Sequence, residues 1–261
     1  MIAEQIRIFF TALMFLTRLP CPATGEHTPE RLAKSSMYFP LVGLLVGGIG
    51  ALAYRLTAAA YPIPVAVLVG IAATATVTGA FHEDAFADLC DGFGGWTPAR
   101  RLEIMRDSRI GSFGAVGLIL LIGMKFALLS SLSLALAPTA FLVAHTFARW
   151  STLLMIARYP YVTDASSLAK PFASSVTVGR FLFASFVTAL VGLLCGPMTT
   201  LTIFCTASLL CLGAGRFFGR WLGGISGDCL GAVNQIVEAL CYAVIVHSAH
   251  LETGLNSLMR R

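Results

Sequence analysis

Long apolar segments separated by short polar ones constrain the fold of this chain more than any other feature. We predict membrane-crossing helices from the apolar runs at residues 37–54, 65–81, 114–136, 139–157, 181–195, 199–215 and 235–250. Each run has about 15 to 23 residues, close to the roughly 20 that a helix needs to cross a bilayer. Only 12% of the 261 residues are charged, and the mean hydropathy is +0.81. The sequence therefore predicts an all-α, polytopic membrane helix bundle with about seven spans.

A further apolar run, residues 6–19, is too short to cross the membrane, since it has about fourteen residues. We predict a re-entrant or interfacial helix there. It contains Arg18 and leads into Pro20-Cys21-Pro22 rather than into a small-residue cleavage site, so we do not interpret it as a cleavable signal peptide.

The polar segments between the predicted spans alternate between charged and nearly uncharged. Nearly all of the charge lies in residues 20–37, 82–113, 158–180 and 216–234, whereas 57–64, 137–138 and 196–198 carry almost none. The positive-inside rule places the charged set on the cytoplasmic side. Arg260 and Arg261 fall on the opposite side if the last helix crosses fully, so five to eight spans remain open. The net charge of +5 is spread in small groups, which does not predict a nucleic-acid-binding face.

The segment 79–114 holds six of the thirteen acidic residues. Asp84, Asp88 and Asp91 are spaced i, i+4 and i+7, so they share one face of a helix that we expect to continue from the preceding span. Three carboxylates this close repel one another unless a cation neutralises them, and Mg²⁺ or Mn²⁺ prefers such oxygen ligands. His82 is a candidate second-shell group or base. The alternative is a solvated acidic helix end.

Glycines and arginines follow this acidic helix. Gly92, Gly94 and Gly95 allow the backbone to present N–H groups to an anion, although a simple turn explains them equally well. Thr97-Pro98 predicts the start of a helix that runs to about Ser108. The candidate phosphate-binding side chains on and after it are Arg101, Arg106 and Arg109, with Asp107 among them. Contact with lipid headgroups is the alternative role for these arginines.

Two further groups of residues contribute to the predicted site or lie within the membrane. Residues 223–232 are a second glycine-rich segment, interpreted as a turn, which carries Asp228 on the same side as the acidic helix. Lys125, His145 and Arg149 lie inside predicted spans, where ionisable groups are functional candidates by default. Internal pairing of Arg149 is the alternative. Glu238 follows near the start of the last predicted helix.

Three motifs together resemble the cobalamin synthase family, whose activity is that of an adenosylcobinamide-GDP ribazoletransferase. The motifs are Phe81-His82-x-Asp84-x3-Asp88-x2-Asp91-Gly92, Glu103-Ile-Met-Arg-Asp-Ser-Arg-Ile-Gly111 and Gly223-Gly-Ile-Ser-Gly-Asp228. The opening Phe15-Leu-Thr-Arg-Leu-Pro20 is also similar, so the resemblance covers nearly the whole chain. Ala85 and Ser226 depart from the glycine and threonine expected at those positions.

The resemblance implies transfer of the cobinamide phosphate of adenosylcobinamide-GDP to α-ribazole or its 5′-phosphate, with Mg²⁺ and release of GMP. On the motif positions that the resemblance supplies, we infer metal binding by Asp84, Asp88 and Asp91, and catalytic roles for these and for His82, Asp107 and Asp228. The residues expected to bind the substrate are Arg101, Arg106, Arg109, Gly92, Gly94 and Gly95.

These implications set the expected organisation of the protein. We expect one domain, residues 1–261, in a bacterial inner membrane, with cytoplasmic active-site loops at 82–113, 158–180 and 216–234. The expected partners are the small-molecule substrates and membrane lipid. A second copy of the chain and other cobalamin-assembly enzymes are further candidates. A CDP-alcohol phosphotransferase, which shares Asp88-x2-Asp91-Gly92, a prenyltransferase and a secondary transporter are the alternative functions.

Overall fold

The computed structural model describes residues 2–22, 28–162 and 176–259. Helices account for all regular structure in these ranges apart from one bridge between Tyr161 and Ile225. The helices are α1 Ile2–Leu16, α2 Pro29–Ser35, α3 Phe39–Ala58, α4 Ile63–Thr78, α5 Phe81–Gly92, α6 Pro98–Met105, α7 Ser112–Ser130, α8 Leu136–Arg158, α9 Val178–Gly192, α10 Pro197–Trp221 and α11 Gly227–Met259.

Within the described ranges, six helical segments are long and apolar enough to cross a membrane. They are Glu30–Ala58, Ser112–Ser130, Leu136–Arg158, Val178–Cys195, Pro197–Trp221 and Gly227–Leu251. The pair α4 and α5 makes a seventh if it is counted as one broken span. The 15-residue α1 is not among them. The predicted polytopic bundle is confirmed, and the chain is an integral membrane protein.

The acidic helix does not continue from the preceding span, which corrects our prediction. α4 and α5 meet at an angle of 90°. Gly79 and Ala80 separate them, and both adopt left-handed backbone conformations, with φ of 66° and 54°. A left-handed residue terminates an α-helix and allows the chain to turn sharply. Because α5 turns away from the direction of α4, we treat α5 as lying outside the membrane-spanning segments.

The centre of the bundle is built on close contact between α3 and α8. Gly43 and Gly47 of α3 lie directly against the backbone of α8, where an added Cβ would clash with the carbonyl oxygens of His145 and Phe141. Small residues spaced four apart allow helix backbones to approach this closely in membranes. The Gly43-x-x-x-Gly47 spacing therefore packs α3 closely against α8.

The C-terminal glycine-rich segment is mostly helical, which corrects its interpretation as a turn. α10 runs to Trp221 and α11 begins at Gly227, so the predicted loop 216–234 shortens to residues 222–226. The Ser226 hydroxyl accepts a hydrogen bond from the Cys229 N–H at 3.2 Å, which caps the first turn of α11. Of the predicted loop 158–180, residues 163–175, including Asp164 and Lys170, lie outside the described residues.

Candidate active site

The candidate site forms where α5 packs against the first turns of α11. Gly231 is the point of closest approach, since a Cβ added there would clash with the Ala85 side chain and lie 3.7 Å from the Cα of His82. Asp228 precedes Gly231 by about one helical turn, and Asp84 and Asp88 flank Ala85 on α5. The contact between two small residues therefore brings carboxylates from two distant parts of the chain together.

Asp84, Asp88 and Asp228 form a carboxylate cluster at this contact. Asp84 is exposed, and Asp88 and Asp228 are partly exposed. Burial raises the pKa of Asp88 from 3.8 to about 7, with further contributions from the negative charges of Asp84, Asp228 and Asp91. Within the described residues, no three His, Cys, Asp or Glu side chains converge tightly enough to enclose a metal ion. The cluster is therefore open and carries excess negative charge.

Asp91 is oriented away from this cluster and toward α7. Its Oδ2 accepts a hydrogen bond from the Gly111 N–H at 2.7 Å, and its Oδ1 accepts one from the Gly114 N–H at 2.8 Å. Both carboxylate oxygens thus satisfy N–H groups at the start of α7, which have no partner within that helix. Asp91 therefore holds α7 against α5, and its metal binding stays a prediction.

Arg101 connects the glycine-rich turn after α5 to the end of α10. Its Nε donates to the Gly95 carbonyl at 2.9 Å, and its Nη1 donates to the Trp221 carbonyl at 2.7 Å. The guanidinium also lies 4.9 Å from the centre of the Trp221 ring. Gly92 packs between Met105 and this ring. Arg101 therefore donates its hydrogen bonds to protein carbonyls in this structure, and its phosphate contact stays a prediction.

The other predicted phosphate ligands differ in their surroundings. Arg109 forms a 2.6 Å ion pair with Asp107, and hydrogen bonds from Arg109 hold the pKa of Asp107 at about 2. Both residues line a recess of about 610 Å³ between α6 and the start of α7. Arg106 is exposed, and its positive charge acts on Asp228. Of the three predicted arginines, Arg106 is the one that the structure places beside the carboxylate cluster.

The remaining predicted site residues lie around the same helix. Gly94 forms the turn after α5, with its N–H donating to the Asp91 carbonyl at 2.9 Å. Gly95 is buried against the backbone of Arg101. His82 is only 4% exposed, and its Nδ1 has no hydrogen-bond partner. It therefore lies on the inner side of α5, behind the carboxylate cluster.

Comparison of the sequence with known protein families shows which family the chain belongs to. Residues 8–246 match the family described as cobalamin-5-phosphate synthase. The chain belongs to this family. A relative from Shewanella woodyi, named adenosylcobinamide-GDP ribazoletransferase, is 41% identical over 93% of this chain and 96% of its own length. A relative of the same name from Vibrio cholerae is 38% identical over 93% of this chain and 94% of its own length. No solved structure matches.

The ionisable residues inside the spans form a buried cluster around Glu238. The Glu238 carboxylate lies 2.8 Å from Lys125 Nζ and 3.3 Å from His145 Nδ1. Arg149 Nη1 lies 2.8 Å from the same His145 nitrogen and 3.9 Å from Glu238. The Tyr242 hydroxyl also donates to Glu238 at 3.3 Å. The predicted internal pairing of Arg149 is therefore present.

Two contributors to the site were missed in the sequence. Trp221 supports Arg101 and the turn after α5, but nothing in the local sequence of α10 links it to residues 120 positions earlier. Gln235 accepts a hydrogen bond from Lys125 inside the buried cluster. A signal for Gln235 did exist, since a polar residue one turn from Glu238 in an apolar helix indicates a shared polar face.

Proposed function

We propose that this protein transfers the cobinamide phosphate of adenosylcobinamide-GDP to α-ribazole or its 5′-phosphate and releases GMP, a late step of cobalamin biosynthesis. The observation that carries the proposal is the convergence of Asp84, Asp88 and Asp228 beside Arg106. The family membership and the names of the relatives support it. The family match gives no support to the CDP-alcohol phosphotransferase, prenyltransferase or transporter alternatives.

The carboxylate cluster fits Mg²⁺ by its chemistry. It offers only oxygen ligands and is partly open to solvent, and burial together with the negative charges of the neighbouring aspartates raises the pKa of Asp88. We propose Asp84, Asp88 and Asp228 as the carboxylates that would contact the ion, although in the described residues they do not enclose a metal position. When bound, Mg²⁺ supplies charge neutralisation for the diphosphate of the substrate.

The residues of the chain account for the remaining steps. Arg106 binds anionic oxygens of the diphosphate next to the cluster. A hydroxyl of the ribazole attacks the phosphorus on the cobinamide side, the new P–O bond forms, and the bond from that phosphorus to the GMP oxygen breaks. A carboxylate of the cluster accepts the hydroxyl proton. The recess lined by Arg100, Asp107 and Arg109 is adjacent to Asp91 and receives the departing nucleotide.

We propose that the site faces the cytoplasm of a bacterial inner membrane, where nucleotide substrates are available. The charge-rich segments on the side of α5, α6 and the start of α11 support this orientation. We expect membrane lipid to surround the membrane-spanning helices of the enzyme. A further copy of the chain or other cobalamin-assembly enzymes remain proposed partners.

The test is GMP release by the purified protein in detergent or nanodiscs, given adenosylcobinamide-GDP, α-ribazole and Mg²⁺. Release should require all three components, and the cobinamide product should gain the ribazole by mass. A matched variant, Glu30→Gln, changes an exposed carboxylate on α2 and should behave as wild type. GMP release without ribazole would indicate a hydrolase, and absence of GMP under every condition would reject the proposed function.

A further inference from the structure

Three aromatic rings pack together where the candidate span α10 ends. Phe217 and Trp221 lie in the last two turns of α10, and Phe93 is the residue after α5. The centre of the Trp221 ring lies 4.9 Å from that of Phe93 and 5.5 Å from that of Phe217. Phe93 is 51% exposed, and Phe217 is 42% exposed. The turn after α5 therefore meets the end of α10 through apolar rings that the protein covers only in part.

A single guanidinium fixes the backbone of Trp96 to the same helix end. Arg101 donates one hydrogen bond to the Trp96 carbonyl at 3.3 Å and another to the Trp221 carbonyl at 2.7 Å. Because one side chain reaches both carbonyls, Trp96 lies at the level at which α10 ends. The Trp96 side chain is 93% exposed. We call Phe93, Trp96, Phe217 and Trp221 the aromatic surface.

The end of α10 is a place at which the chain meets lipid headgroups. α10 is long and apolar enough to cross a membrane, and large apolar side chains are exposed along it, among them Met198, Leu201 and Leu209. Aromatic rings, Trp above all, are enriched at the membrane–water interface, where they lie among the headgroups. The aromatic surface therefore lies at the depth at which such rings are stable.

Positive charge borders the aromatic surface. Arg216 and Arg220 are both exposed and lie in the last turns of α10, next to Phe217 and Trp221 in sequence. The segment 216–221 contains these two arginines and no acidic residue. Guanidinium groups bind phosphate oxygens, and basic side chains are attracted to anionic lipid surfaces. The charge here is thus complementary to phospholipid headgroups.

A nucleotide base is the alternative occupant, since bases stack on exposed aromatic rings. The Trp221 ring is already contacted by two phenylalanines and by the Arg101 guanidinium, which lies 4.9 Å from its centre. The exposed ring of Phe217 belongs to a helix that presents apolar side chains outward along its length. These observations favour lipid.

We propose that the aromatic surface binds the headgroup region of the phospholipid bilayer, with Arg216 and Arg220 beside lipid phosphates. The bilayer then holds the turn after α5, which lies outside the membrane-spanning segments, at the membrane surface. This binding role is independent of the reaction that the protein catalyses.

The test uses the three tryptophans of the chain as fluorescent probes. The full-length protein is placed in phosphatidylcholine–phosphatidylglycerol nanodiscs whose acyl chains carry bromine, a contact quencher, either near the headgroup or near the chain end. The fluorescence that is lost in Trp96→Phe is the contribution of Trp96. We expect this contribution to be quenched more strongly by the shallow bromine than by the deep one.

Trp150→Phe is the matched control. Trp150 is buried in the bundle and donates a hydrogen bond to the Ser185 hydroxyl at 2.9 Å, so its contribution should respond weakly to bromine at either depth. A protein with both Trp150→Phe and Trp221→Phe retains only Trp96 and should show the same shallow quenching. It provides the measurement directly should Trp96→Phe fail to fold.

The arginines are tested by the double variant Arg216→Gln and Arg220→Gln, which should reduce the shallow quenching of Trp96. Arg55→Gln, at an exposed position in the last turn of α3, is its control and should leave the quenching unchanged. Unchanged quenching in the double variant would overturn the role of the two arginines.

A Trp96 contribution that neither bromine quenches would overturn the proposal, because the aromatic surface would then lie in water. Quenching of Trp96 by GMP in lipid-free detergent, together with none by brominated lipid, would assign the surface to a nucleotide base instead. Both results differ from failure of the proposed function, since the fluorescence measurements in nanodiscs contain no substrate.

Discussion

The side chain of Arg18 lies across Gly79, with its Nε 2.6 Å from the position that a Cβ of residue 79 would occupy. The Arg18 N–H also donates to the Val77 carbonyl at 2.7 Å. The segment after α1 therefore closes over the break between α4 and α5. This contact gives a structural reason for the Thr-Arg-Leu-Pro segment near the N-terminus, which shapes the turn that starts the acidic helix.

Gly79→Ala should lower both stability and activity. The added Cβ meets Arg18, and the residue has φ of 66°, a conformation that costs a side chain about 1–2 kcal/mol. We expect an earlier thermal transition in detergent and reduced GMP release. Gly123→Ala in α7 is the control, because no atom lies within 4 Å of its added Cβ. Equal behaviour of the two variants would contradict the role of the break.

Asp88→Asn should abolish most activity without destabilising the metal-free protein. The change keeps the shape but removes one charge from the crowded cluster, so repulsion falls while Mg²⁺ loses a ligand. Turnover should fall by orders of magnitude, and the stabilisation by added Mg²⁺ should shrink. Thermal shift and GMP release measure both. Normal turnover, or early melting with and without Mg²⁺, would show that Asp88 is structural.

The pH dependence of the metal-free protein should report Asp88. Its pKa is raised from 3.8 to about 7 in the folded state. Between these values the unfolded chain has lost the proton that the folded chain retains, so folding stability falls as pH rises from about 4 to about 7 and levels off above. Thermal transitions across this range should show the decline, and Asp88→Asn should reduce it. An unchanged slope in the variant would assign the decline to other groups.

Asp91 should behave differently from Asp88. Asp91→Ala removes the acceptor for two N–H groups of α7, and loss of such a charged cap costs about 1–3 kcal/mol. We expect a lower thermal transition but a retained stabilisation by Mg²⁺. Circular dichroism melting with a Mg²⁺ titration measures both quantities. Loss of the Mg²⁺ response at unchanged metal-free stability would instead make Asp91 a ligand.

The proposed orientation can be checked by cysteine labelling in intact cells. Trp96 is 93% exposed beside the candidate site, and Tyr61 is 61% exposed at the opposite end of α4. In a background without native cysteines, Tyr61→Cys should react with an impermeant reagent and Trp96→Cys should react only after the cells are opened. Labelling of Trp96→Cys from outside would reverse the orientation.

Local pattern was sufficient to predict most of the bundle, since each span is a mostly apolar run. It was also sufficient for Thr97, which caps α6 by accepting a hydrogen bond from the Arg100 N–H at 3.3 Å. Helical spacing correctly placed Asp84 and Asp88 on a common helix. The spans and caps depend on residues close together in sequence, so the sequence contains their causes.

The contacts of the site residues depend on residues that are distant in the sequence. Asp91 has the right spacing for the acidic face, but its carboxylate accepts hydrogen bonds from the N–H groups of Gly111 and Gly114 at the start of α7. Arg101 donates a hydrogen bond to the carbonyl of Trp221, which is 120 residues away in the sequence. The glycines at 227 and 231 suggested a turn, whereas Gly231 is a packing position inside a helix, opposite Ala85. No local pattern reveals which distant segment will meet such a residue.

The buried cluster has a consequence for the order in which the protein is assembled. Lys125 and Arg149 enter the membrane on α7 and α8, but Glu238, their carboxylate partner, is on α11, which is synthesised after both. Until α11 inserts, these cations lie in an apolar environment without it, which is costly. The buried cluster is therefore complete only after α11 has inserted, and until then the cations of α7 and α8 lack Glu238 as their partner.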